Sequence, residues 1–134
     1  MKAQLTIFVT AAGLLASGLP ALGHHSFAAE YDSTKKITLT GMVTKFEWTN
    51  PHAHFYLDVK DASGKVVNWN LELASPNMMQ RNGWTRHSLK EGDQVTVVAS
   101  RSKDNTSTAS ADTITFGDGH KLTFMADPEA PPKQ

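Results

Sequence analysis

Between Ala53 and Lys60 the chain alternates without a break, with Ala53, Phe55, Leu57 and Val59 on one side and His54, Tyr56, Asp58 and Lys60 on the other. A period of two is the mark of a strand with one buried and one wet face; a helix would scatter these apolar residues around its surface. The same period runs through Ile37, Leu39, Gly41 and Val43, and Phe46 and Trp48 continue that set. It predicts a long first strand, with Gly41 as the site of a bend or bulge. Thr49-Asn50-Pro51 turns the chain into a second strand, His52 to Lys60. Asp61 to Lys65 then predicts a hairpin turn into a third strand, Val66 to Leu73, whose Val67, Trp69, Leu71 and Leu73 face the core.

Ser75-Pro76-Asn77 supplies an N-cap followed by proline at the first helical position, and Gly83 can end that short helix in the left-handed conformation. Trp84 is expected to dock the helix end onto the core. A turn through Gly92-Asp93 leads to a fourth strand, Gln94 to Arg101; a fifth runs from Ala109 to Phe116 and a short sixth from His120 to Phe124. Three meandering strands, one helix and two further strands follow the order of the OB-fold, so the expected class is a mainly β, OB-fold-like Greek-key barrel of five to six strands. A β-sandwich is the alternative, since connection order is not fixed by local pattern.

The barrel is expected over residues 37–125, flanked by an N-terminal arm (24–36) and a proline-rich, disordered tail (126–134). Ahead of the arm, Met1-Lys2 precedes an apolar run from Leu5 to Leu19 that is short for a bilayer span, and Ala21-Leu22-Gly23 offers the small residues that a signal peptidase reads. Residues 1–23 are therefore expected to be a cleaved signal peptide, which predicts a periplasmic or secreted protein with no transmembrane span in its mature part. Cleavage after Ala21 and an uncleaved anchor are the alternatives.

Such a mature chain carries twelve basic and thirteen acidic residues. Without a basic stripe to displace counterions, nucleic acid is not the expected partner. The chain contains no cysteine, which removes thiolate metal sites and thiol catalysis and leaves packing to hold the fold.

His24-His25-Ser26-Phe27-Ala28-Ala29-Glu30-Tyr31-Asp32, Gly41-x-Val43, Trp48-Thr49-Asn50-Pro51-His52, Asn82-Gly83-Trp84-Thr85 and Leu89-x-x-Gly92-Asp93 together resemble an uncharacterised family of small secreted bacterial proteins. The resemblance spans nearly the whole mature chain. It implies export and a compact β-domain, and no established reaction. His24, His25 and His52 match the family pattern, whereas His54 stands where members more often carry an aromatic residue.

Cleavage before His24 would leave a free α-amine, an imidazole on the same residue and a second at His25, a compact nitrogen donor set suited to Cu(II) or Ni(II), with copper the expected metal. The amine titrates near neutral pH and yields its proton to a metal more readily than a lysine. His52 or His54 could complete a three-nitrogen site, since residues two apart on a strand project from one face. The candidate metal ligands are thus His24, His25, His52 and His54, in a non-catalytic binding protein. Against this stand structural roles: paired histidines can serve processing or solubility, and His52 can close the turn after Pro51. His87 and His120 fall in turns and are expected to be solvated.

Met78-Met79 could offer thioethers to Cu(I), although such a pair more often fills a core. Trp48, Trp69 and Trp84 could form a stacking platform, which gives the alternative function, an interaction module for a protein partner or an envelope glycan. No carboxylate pair or nucleophile elbow stands at a readable spacing, so no catalytic residue is expected.

Overall fold

The computed structural model describes residues 27–123; the expected signal peptide, His24, His25 and the expected tail, within residues 1–26 and 124–134, lie outside them. The elements are α1 (Phe27–Glu30), β1 (Tyr31–Glu47), β2 (His54–Lys60), β3 (Val66–Glu72), α2 (Pro76–Arg81), β4 (Gln94–Ser102), β5 (Thr108–Phe116) and β6 (Lys121–Thr123). The sheet order is β3-β2-β1-β4-β5-β6, and a parallel pairing of β3 with β5 closes a ring of five strands. All other pairings are antiparallel. With α2 between β3 and β4, this is the OB-fold-like order expected from the sequence.

β1 is long because two halves of the ring share it: Lys36 to Met42 pair with β4, and Gly41 to Glu47 pair with β2. The register shift lies between Val43 and Lys45, not at Gly41. That extra residue moves the inward side from odd to even positions and brings Phe46 and Trp48 onto the core side with Leu39 and Val43. Gly41 answers a different need, for a side chain's first carbon there would sit 2.0 Å from the Asp58 carbonyl oxygen. Only glycine lets the two backbones approach so closely.

The first strand also starts earlier than its alternation implies, with residues 27–36 in α1 and β1. Asp32 to Lys36 are polar and largely exposed, which hides the strand from a periodicity reading. Tyr31 is nevertheless buried, pairing with Ser102 of β4. The Lys103 amide donates to the Glu30 carbonyl at 2.9 Å and its ammonium to the Ala28 carbonyl, which fastens α1 to the β4–β5 side.

Phe55 and Leu57 of β2, Leu71 of β3, Val95 and Val97 of β4 and Ile114 of β5 fill the core with Met79 and Trp84. The Ser75 hydroxyl accepts from the Met78 amide at 3.3 Å, Pro76 follows the cap, and Gly83 adopts a φ of 86° just past the helix. Trp84 is 1% exposed and its indole N–H donates to the Thr123 carbonyl at 3.0 Å, tying the end of β6 to the core.

Candidate functional site

Past the end of the β2–β3 ladder, the Leu73 amide donates to the Ala53 carbonyl (2.9 Å) and the Ala53 amide to the Ala74 carbonyl (3.0 Å). This extension holds His52 in line with the even positions of β2, so its ring shares a face with that of His54, as their spacing predicts. The partners on β3 alternate in the same way. His52 Nδ1 contacts a Glu72 carboxylate oxygen, and His54 Nδ1 lies 3.0 Å from the Asn70 side-chain oxygen.

Glu72 is the hub of the arrangement. Its second oxygen accepts from the Tyr31 hydroxyl, so one carboxylate joins β1, β3 and the turn before β2. Because the carboxylate accepts, the His52 hydrogen sits on Nδ1, and Nε2 of a neutral ring is left with its lone pair. The same logic frees Nε2 of His54. Neither Tyr31 nor Glu72 stands out in the sequence, yet the hairpin register could have found Glu72: with Lys60 facing Val66, Glu72 faces His54.

Burial first, and then the neighbouring Glu72 carboxylate, push the Tyr31 hydroxyl well above the ordinary tyrosine value of 10.0; Glu30 and Asp104 add to it. Tyr56, beside Glu47, is shifted in the same direction, with burial again the first cause. A raised phenol pKa favours the folded state fully below that ordinary value, and the contribution fades as pH climbs above it. Absorbance at 295 nm on alkaline titration should therefore show Tyr56 ionising first and Tyr31 only as the fold is lost. Two tyrosines ionising together in the native protein would contradict that order.

His52, Glu72 and Tyr31 line a cleft of about 590 Å³ whose walls are mostly apolar, among them Phe27, Pro51, Leu73 and Met78. The lining also includes Lys36, whose ammonium lies 2.6 Å from Asp112 and 2.7 Å from Ser100 Oγ. Phe27, 43% exposed, stacks obliquely near Tyr31 with ring centres 5.5 Å apart.

His54 does not line this cleft, and His52 is its one histidine among the described residues. Among those residues, no three His, Asp or Glu side chains gather in a way that could hold a metal ion. His87 is exposed, as expected; His120, also exposed, stacks on Phe116 with ring centres 4.1 Å apart. None of the three tryptophans lines the cleft: Trp84 is buried, while Trp48 and Trp69 pack half-buried against the core, with the Arg101 guanidinium 5.6 Å from the Trp69 ring centre. Among the described residues no helix is long and apolar enough to cross a membrane.

Ring and cleft define a class: a small, mainly β, OB-fold-like domain with a histidine at the rim of an apolar cleft. A family of unknown function (DUF6152) matches residues 11–111, and the chain belongs to that family. No curated protein matches it. Among solved structures, two crystal forms of Rim1, the mitochondrial single-stranded DNA-binding protein of S. cerevisiae, are similar at 12% identity. One has a TM-score of 0.47 and covers 62% of this chain and 93% of that chain; the other scores 0.48 and covers 66% and 98%. At those scores the likeness carries no argument.

Proposed function

We propose that the mature chain is an exported, periplasmic, non-catalytic copper-binding module in which the amine and ring of His24, with His25, meet the ring of His52 at the cleft. The observation that carries this reading is the Glu72 carboxylate on His52 Nδ1. Metal-binding imidazoles commonly donate their second nitrogen to a carboxylate, which fixes the tautomer, aims the other nitrogen and raises its basicity.

Reach supports the same reading. An extended chain spans about 3.3–3.6 Å per residue, so the α-carbon of His24 stays within roughly 11 Å of that of Phe27, a wall of the same cleft. His54, held by Asn70 on the next rung away, is then a neighbour of the site and not a ligand.

The test begins with the intact mass of the exported protein, which identifies the first residue. Protein starting at His24 is then titrated with Cu(II) and followed by electron paramagnetic resonance. The expected result is a nitrogen-rich signal that saturates at one equivalent. A version with one alanine placed before His24 should lose the amine–imidazole chelate and bind more weakly. Equal spectra and affinities for the two forms would refute the proposal.

A further inference from the structure

The two methionines of α2 part company in the fold. Met79 is 0% exposed and packs in the core, whereas Met78, one position further round the helix, is 48% exposed and lines the cleft that His52 also lines. Of the five large apolar side chains exposed among the described residues, Phe27 and Met78 both border this cleft.

We infer that the Met78 thioether and the His52 imidazole together form a soft-metal site within the cleft that takes Cu(I). The inference deepens the copper reading and rests on it for the identity of the metal. A thioether is a neutral, polarisable donor that favours Cu(I), while an imidazole suits both oxidation states. In a neutral ring neither donor loses a proton from its ligating atom on binding, because the Nδ1 hydrogen of His52 points at Glu72.

The surroundings favour the lower charge. Burial penalises charge, and the penalty rises steeply with its magnitude, so mostly apolar walls disfavour a divalent ion more than a monovalent one. Glu72, behind the imidazole, and Glu30 add negative charge to the lining, while Lys36 is paired with Asp112. The Ser75 cap fixes the Met78 backbone, and the three rotatable side-chain bonds leave the sulfur free to swing to a metal.

The experiment uses protein beginning at His24, loaded with Cu(I) without oxygen in the presence of ascorbate. Affinity is read by competition with a chromophoric Cu(I) chelator and the donor atoms by copper-edge X-ray absorption. The expected result is a sulfur neighbour in the Cu(I) form that is absent from the Cu(II) form. Met78→Leu, close in volume and on the surface, should remove that sulfur and weaken Cu(I) binding at least about tenfold, with Cu(II) affinity and melting temperature unchanged. Met42→Leu, a change at an exposed methionine outside the cleft, should do neither.

Cu(I) bound without sulfur, no Cu(I) binding, or equal Cu(I) affinity in the parent and Met78→Leu proteins would overturn the inference. So would an equal loss in Met42→Leu, which would mark the sulfur contact as non-specific. The parent reading fails separately, through the Cu(II) spectrum. A Met78-dependent Cu(I) site without a nitrogen-rich Cu(II) signal would leave the methionine site standing and the N-terminal chelate refuted.

Discussion

Gly41→Ala is expected to destabilise the domain by about 3 kcal/mol and to lower its urea midpoint by about 1–2 M. The added carbon would lie 2.0 Å from the Asp58 carbonyl oxygen and 2.9 Å from its carbonyl carbon, so it meets backbone that no rotamer change can move aside. Gly41 pairs with Val59 on one side and Val95 on the other, so prising β1 from β2 also disturbs its pairing with β4. For a domain with a total stability of roughly 5–15 kcal/mol the loss is large. Gly117→Ala is the control, since nothing lies within 4 Å of the new carbon and the backbone is not left-handed; it should stay within about 0.5 kcal/mol of the parent. Equal urea midpoints for the two variants would show that β1 and β2 can separate at little cost.

The second large effect is expected at Glu72. Two donors converge on its two oxygens, the Tyr31 hydroxyl and His52 Nδ1–H. Glu72→Gln keeps the shape but offers one acceptor and one donor in their place. If the amide nitrogen faces His52, the imidazole must accept at Nδ1 and carry its hydrogen on Nε2, the atom assigned to the metal. If the amide oxygen faces His52, Nε2 remains available but loses the basicity that a carboxylate confers. Either way, copper affinity should fall about 10–100-fold, with the near-ultraviolet circular dichroism of the fold retained. An unchanged affinity in a folded variant would detach His52 from copper binding.

Local rules carried much of this fold into the sequence. The β2–β3 hairpin is legible because its alternation, its turn and its register all act within a few residues, and α2 because Ser75, Pro76 and Gly83 punctuate it. The bulge after Val43, which turns Phe46 and Trp48 inward, was not legible as such, because a glycine is the commoner bulge signal and Gly41 stands nearby. Asp32 to Lys36 hid the start of β1, because a solvated stretch carries no period-two signal. Tyr31 is buried there by a contact with Glu72, 41 residues away. The exposed character of His87 and His120 could be read directly, whereas the partition of Met78 from Met79 could not.

Taken alone, the amino-acid order determined the strands from Ile37 onward, where α2 begins and ends, which faces are apolar and which histidines have companions at strand spacing. Those properties follow from side-chain periodicity and backbone capping, forces that extend over one or two turns of chain. Tertiary structure decided the rest. Only when β3 pairs with β5 does Glu72 come to lie beside Ser110, so that Phe27, His52, Met78 and Asp112 wall one cleft. Residues up to 85 positions apart meet there through ring closure, whose geometry belongs to the whole sheet and to no single segment.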